Sequence, residues 1–145
     1  MTTSGNNEAE IRELIAHRDR ALGAKDVDGF MDHYADALVL FDLKPPLQTR
    51  GIAELRAQWG RALSFFPDSF GTETRDLHVL VSGDLAVAHY IWRFTGIDVD
   101  HPAMHAWFRN TVVCQRAGGK WQIAHEHCSV PFDPITLEPA FELEP

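Results

Sequence analysis

Cysteine is scarce in this chain: Cys114 and Cys128 are the only two in 145 residues. They lie too far apart for the CxxC spacing of a redox or zinc pair, so two free thiols are expected. Cations are also in deficit. Thirteen Lys and Arg stand against 21 Asp and Glu, a formal net charge of −8. That balance opposes a phosphate backbone unless the few basic residues cluster, and nucleic acid is not an expected partner. No stretch comes near the roughly 18 consecutive apolar residues of a membrane span. The opening segment MTTSGNNEAE has neither the basic nor the apolar region of a secretory leader. A cytoplasmic location away from membranes is expected.

What is present is an ordinary globular composition: 45% hydrophobic, 10% aromatic and 23% charged residues. The length fits one domain at roughly 100–200 residues per folding unit. Eight histidines are more than usual, and His78, His89, His101, His105, His125 and His127 all fall in the second half.

Residues 1–7 are polar and are expected to form a loose tail. Asn7 followed by Glu10 has the form of a capping box, so a helix is expected to begin there. Ile11, Leu14, Ile15, Ala21 and Leu22 keep helical spacing up to Gly23, a natural stop. Val27, Phe30, Met31 and Tyr34 mark a second, shorter helix. Leu38 to Phe41 is an apolar run suited to a strand, and Pro45-Pro46 prevents its continuation. Ile52, Leu55, Trp59 and Leu63 predict a third helix. Four strands follow, at Thr72–Val81, Leu85–Thr95, His105–Arg116 and Lys120–Val130, separated by glycine-containing turns and a loop around His101-Pro102. Helices first and then a curved, mainly antiparallel sheet define an α+β domain over residues 8–132, with an irregular acidic tail at 133–145.

If Ala117-Gly118-Gly119 is a three-residue loop, Arg116 pairs with Lys120, Asn110 faces Glu126 and Arg109 faces His127. One face then carries Trp107, Arg109, Thr111, Val113, Trp121, Ile123, His125 and His127. The other carries Phe108, Asn110, Val112, Ala124, Glu126 and Cys128. A two-residue loop would mix these sets. The second face, mostly apolar with two polar groups, has the character of a small-molecule pocket. The first, aromatic and cationic when its histidines are protonated, suits a subunit interface. His125 and His127 project together and invite a metal reading. The arrangement of carboxylate and imidazole that would complete it is missing, because Pro131 and Phe132 follow, so no metal and no cofactor are expected.

The segments LVLFDLKPPLQTRG (38–51), AHYIWRFTG (88–96), HAWFRNT (105–111) and GKWQIAHEHCSVPFD (119–133), in this order of elements, resemble the SnoaL-like branch of the NTF2-like superfamily, also known as ketosteroid-isomerase homologues. The resemblance implies a cone: three helices closing over a strongly curved sheet around a pocket, commonly dimeric through the outer sheet face. Set against ketosteroid isomerase, YADALVLFD (34–42) places Asp42 at the catalytic base. The two oxyanion donors fall instead on Arg18 and Phe108, a departure that argues against an authentic steroid isomerase. Tyr34 and Trp59 fall on pocket-lining positions. The last segment is also similar to the end of the calcium/calmodulin-dependent kinase association domain. Its pocket arginines fall on Arg93, Val112 and Cys128, which points His89, Ile91 and Arg93 inward with Asn110 and Glu126.

Each of these residues has a plainer alternative. Asp42 is also a turn former before Pro45-Pro46; His89 is also a hydrogen-bonded core residue, and Arg93 an ion-pair partner of Glu126 or Asp42. Two functions from different classes therefore stand. In the first, a homodimer binds a small, partly apolar carbonyl or carboxylate compound through Arg18, Tyr34, Trp59, His89, Arg93, Phe108, Asn110 and Glu126, and Asp42 transfers a proton in isomerase- or cyclase-type chemistry or activates water. In the second, the chain is a non-catalytic binding or assembly module. In both, Trp107, Arg109, His125 and His127 are the expected dimer contacts.

Overall fold

The computed structural model describes residues 3–145, so Met1 and Thr2 of the expected tail lie outside the described residues. Helix α1 spans Thr3–Gly23 and begins earlier than the Asn7 capping box predicts. Asn7 is no cap: its side chain is buried and its Oδ1 accepts from Arg116 Nη2 at 2.8 Å. A tertiary partner has taken the oxygen that a cap would have used. Gly23 ends the helix where it crosses the chain entering the sheet. A Cβ there would lie 2.4 Å from the Phe70 carbonyl oxygen, and Phe70 N–H donates to Gly23 O at 3.0 Å.

Helix α2 is short, Val27–Met31, with Asp26 accepting from the Gly29 amide. Tyr34 is not on it; it opens strand β1, Tyr34–Phe41. Ile123 N–H donates to His33 O at 2.8 Å, so backbone pairing to a late strand captures the chain before the helix can continue. Strand β2 is Thr49–Arg50 and helix α3 Ile52–Leu63. Strands β3 (Gly71–Ser82), β4 (Leu85–Thr95), β5 (Phe108–Ala117) and β6 (Lys120–Ser129) complete the fold. The sheet order is β2-β1-β6-β5-β4-β3. Only β1 and β6 run parallel, because every other neighbouring pair can be joined by a short return.

The β5–β6 hairpin corrects the expected register. Ala117 pairs with Lys120, so the loop is the two glycines Gly118 and Gly119, both at positive φ, as a tight hairpin of this hand requires. The register then shifts, pairing Cys114 with Ile123 but Val113 with His125, which leaves Ala124 as an extra, bulged residue. Trp121 and Ile123 consequently point into the core while His125 and His127 point outward. Beyond the bulge Val112 faces Glu126 and Asn110 faces Cys128. The offset from the expected pairing is two residues, so Asn110 and Glu126 still share a face.

The core lies between the sheet's inner face and the helices. Ile11, Leu14, Ile15 and Leu22 of α1, Phe30 and Met31 of α2 and Leu55 and Leu63 of α3 pack onto Leu38, Ala88, Val112 and Ile123. At its edge, His17 Nδ1 lies 2.6 Å from His33 Nε2. Burial first, then the His17 charge, lowers the His33 pKa from its usual value, with Arg18 and Lys120 adding to this and Asp32 opposing. The unfolded chain therefore binds more protons than the native state as pH falls below about 6.5, and stability drops with acidification in that window. Urea midpoints measured from pH 7.5 to 5.5 should fall, and the fall should be shallower in His33→Gln.

Candidate ligand-binding cavity

The inner face of the sheet and the helices enclose a cavity of about 570 Å³, within the usual range of small-molecule sites. Most of its wall is aromatic: Phe30, Trp59 and Phe66 come from the helical side, and Trp92, Phe94 and Phe108 from the sheet. Strand alternation explains the sheet's share. Trp92 and Phe94 sit on one face of β4, two residues apart, and Trp92 pairs directly with Phe108 on β5. Their rings meet in tilted and edge-on contacts at 4.9 to 6.2 Å.

Polar groups reach this wall in two places. The first is a buried network at the inner end. Arg18 Nη1 donates to Glu126 Oε2 at 3.0 Å and Nη2 to Tyr90 Oη at 2.6 Å. Tyr34 donates to Glu126 Oε1 at 2.6 Å, and Arg18 Nη1 also lies 3.5 Å from Tyr34 Oη. Asn110 Nδ2 donates to Tyr90 Oη and to Glu126 Oε2 at 2.7 and 2.8 Å. Arg18, Tyr34, Tyr90, Asn110 and Glu126 are all buried. Burial by itself would lower the Arg18 pKa, but Tyr90, Tyr34, Glu126 and Asp19 raise it further, so the guanidinium stays charged. Tyr34 and Tyr90 are pushed up, by burial foremost, and remain phenols. The Asn110 Oδ1 is buried without a partner.

Asp19, beside Arg18 on α1, also lines the cavity. Its Oδ1 accepts from Arg18 Nε and Nη2 at 3.1 and 3.0 Å. Burial raises its pKa above the ordinary carboxylate value against the pull of Arg18. The second polar place is the rim, where β1 ends. Asp42 lines the cavity, accepts from the Leu43 amide at 2.8 Å and is ion-paired with Lys44. Gln58 and His101 complete the rim.

Of the residues singled out from the sequence, Arg18, Tyr34, Asp42, Trp59, Phe108, Asn110 and Glu126 come together around this cavity. His89 and Arg93 do not. Tyr90 is the residue opposite Asn110, so Tyr90 faces inward and its neighbours His89, Ile91 and Arg93 face out. His89 is exposed and packs on His78, ring centroids 5.2 Å apart. Arg93 is paired with Glu73 at 2.7 Å, not with Glu126 or Asp42. Trp107 is not a free contact surface either, because its own chain covers it: the Arg75 and Arg93 guanidinium groups lie 4.9 and 4.7 Å from its ring centroid, and Nε1 donates to Glu144 Oε2 at 2.9 Å. Arg109 and His127 are exposed on the outer face, and His125 Nδ1 donates to Val39 O at 2.7 Å.

Sequence reasoning missed Asp19, Tyr90 and Trp92. The alternation Tyr90, Trp92, Phe94 was the available signal for the last two: three aromatics at every second position mark a buried face more strongly than His89 and Arg93 do.

A curved sheet closed by helices around an apolar cavity with a polar inner end defines the NTF2-like fold, a class of small-ligand-binding domains. The chain belongs to the SnoaL-like domain family, whose model matches residues 11–133. An NTF2-like protein of unknown function from Pseudomonas putida is 36% identical over 99% of this chain and 100% of its own, with a TM-score of 0.89. A candidate dehydratase of the NTF2-like family from Streptomyces avermitilis superimposes with a TM-score of 0.75 at 16% identity, covering 89% of this chain and 99% of its own. A candidate aromatic ring hydroxylase from Novosphingobium aromaticivorans gives 0.72 at 15% identity, covering 88% and 91%. At such identities the last two show the shared fold alone. No curated protein matches the chain. Among the described residues no helix is long and apolar enough to cross a membrane.

Proposed function

We propose that this protein binds a small, mostly apolar ring compound carrying a carbonyl or carboxylate, and that Asp42 moves a proton next to that group. The observation that carries the reading is the distribution of polarity in the cavity. Aromatic rings form most of the wall, and hydrogen-bonding groups are confined to the Arg18 network and the Asp42 rim. A flat molecule is held by the rings, with its polar end at one of these two places.

The two carboxylates differ in availability. Glu126 accepts from Arg18, Tyr34 and Asn110 and is a fixed part of the floor. Asp42 is held only by Lys44 and by the adjacent amide, and its side chain is 17% exposed. It is free to take a proton from a bound molecule, with Arg18 and Asn110 orienting the far end. The engagement of Asp42 by Lys44 is the feature that favours the second reading, a non-catalytic binding module. In either case the outer sheet face, with Phe41, Arg109, His125 and His127, is the surface proposed to meet a second copy; Phe41 packs edge-on against both histidine rings.

The test is a titration with 2-tetralone, a two-ring ketone, followed by tryptophan emission, since Trp59 and Trp92 line the cavity. Saturable quenching is expected in the wild type. It should be lost in Ala62→Trp, which fills the cavity from α3. Quenching that never saturates, or that is unchanged in Ala62→Trp, would overturn the proposal.

A further inference from the structure

The chain after β6 contains no helix or strand, and such ends ordinarily fray. This one is held in place. Pro131 O accepts from the Ala140 amide at 2.8 Å, Glu138 O from the Asp133 amide at 2.8 Å, and Phe132 bridges to Pro139. Residues 131–140 thus double back on themselves around the Asp133 carboxylate, which accepts from the Ile135 and Thr136 amides. The turn delivers Phe141 to the cavity. Its ring packs on the small cluster of Ala106, Phe108 and Cys128 and lines the cavity together with Ala103 and Met104. Three residues further on, Glu144 Oε2 accepts from Trp107 Nε1, with Arg75 and Arg93 stacked over the same indole. That cluster is on the outside of the sheet, and none of Arg75, Arg93, Trp107 and Glu144 lines the cavity.

We propose that residues 131–144 are a strap whose Phe141 is the movable end wall of the cavity, latched by Glu144 on Trp107, and that this wall limits ligand length and controls its exchange. The proposal rests on the ligand-binding reading above. Three features support it. The strap is fixed at two points on either side of Phe141, so the ring has a defined seat. The tip of the doubled-back turn is exposed, with Ile135 and Leu137 at 90% and 77%, so few apolar contacts besides those of Phe141 hold the strap to the rest of the fold. A segment with few buried contacts opens at a small fraction of the global stability. The latch is a hydrogen bond to a charged acceptor, stronger than a neutral one, and it lies where a ligand cannot reach it.

Dissociation of 2-tetralone measured by stopped-flow tryptophan emission separates the parts. Phe141→Ala removes the wall. Glu144→Ala and Trp107→Phe remove the latch and leave every cavity residue in place; Trp107→Phe also keeps a ring under Arg75 and Arg93. The two latch variants should release the ketone about tenfold faster, the effect of losing one charge-assisted hydrogen bond, and Phe141→Ala, which removes the wall itself, at least as much faster. Glu144→Gln keeps a neutral acceptor for the indole and should fall between wild type and Glu144→Ala. Acceleration by Phe141→Ala alone, with both latch variants at the wild-type rate, would overturn the strap while leaving the ligand reading intact. If 2-tetralone does not bind the wild type, the ligand reading fails and thiol labelling decides the strap. Cys128, buried beneath Phe141, should then react with a thiol reagent about tenfold faster in Glu144→Ala than in wild type, and equal rates would overturn the latch.

Discussion

Arg18→Met is expected to destabilise the protein by about 3–5 kcal/mol, the penalty for removing one partner of a buried ion pair. For a chain of this size that lowers the melting midpoint by roughly 10–15 °C. The size of the effect follows from what the guanidinium holds. Its loss leaves Glu126 with Tyr34 and Asn110 as donors, takes one of the two donors from Tyr90, and strips Asp19 of both of its contacts. Two largely buried carboxylates then remain beside an aromatic cavity with no cation between them. Asp19, whose pKa burial already raises against the pull of Arg18, then resists ionisation further, so its native pKa lies above the unfolded one. By linkage such a group favours the native state at low pH and loses that contribution as pH rises through the native pKa. The deficit of Arg18→Met should therefore be largest near pH 8 and shrink towards pH 5. Chemical denaturation of the variant and of Arg18→Met with Glu126→Gln checks the origin. If the pair is responsible, the second change recovers part of the loss, a coupling of roughly 0.5–3 kcal/mol between residues in one network.

That network also shows where the sequence was readable. The order of the three helices, the third helix itself and the four long strands after it follow from periodicity and from Gly and Pro punctuation, and they need no tertiary information; the two-residue β2 and the first half of β1 do not. Facing is different, because one bulge reverses it. Trp121 and Ile123 carry the same alternation as His125 and His127, and nothing local announces that Ala124 interrupts it. His89 and Arg93 against Tyr90 and Trp92 is the same problem on β4. A polar pair and an aromatic pair alternate, and either set suits a pocket until the cross-strand partner Asn110 is known. Asn7 and Tyr34 were misread for a related reason. A capping oxygen and a helical stripe are local signals, and Arg116 and the backbone of β6 overrode them from across the fold. The tail had composition without pattern, so neither the seat of Phe141 nor the Glu144 latch could be seen in it.

Asp42→Asn is expected to slow proton removal from a bound ketone by about 10²–10⁴-fold, the usual contribution of a positioned general base. Exchange of the α-protons of 2-tetralone for deuterium, followed by proton NMR in D₂O, reads this step without knowledge of the natural substrate. Abstraction by Asp42 gives an enolate and a protonated carboxyl; the carboxyl exchanges that proton with D₂O, and return of a deuteron to carbon regenerates the ketone, so nothing is consumed but label. The amide is nearly isosteric but has one oxygen where the carboxylate has two, so it keeps the bond from the Leu43 amide and loses the contact that Lys44 makes to the other oxygen. The side chain sits at the rim and not in the core, so stability should change by no more than about 0.5 kcal/mol. Lys44→Met separates the two roles of the ion pair. If Lys44 merely occupies Asp42, its removal speeds exchange; if its charge steadies the enolate oxygen, removal slows exchange in the protein that retains Asp42. Equal exchange in wild type and Asp42→Asn, with binding retained, would assign any proton transfer to another carboxylate, and Asp19 is then the group that lines the same wall with a pKa raised by burial.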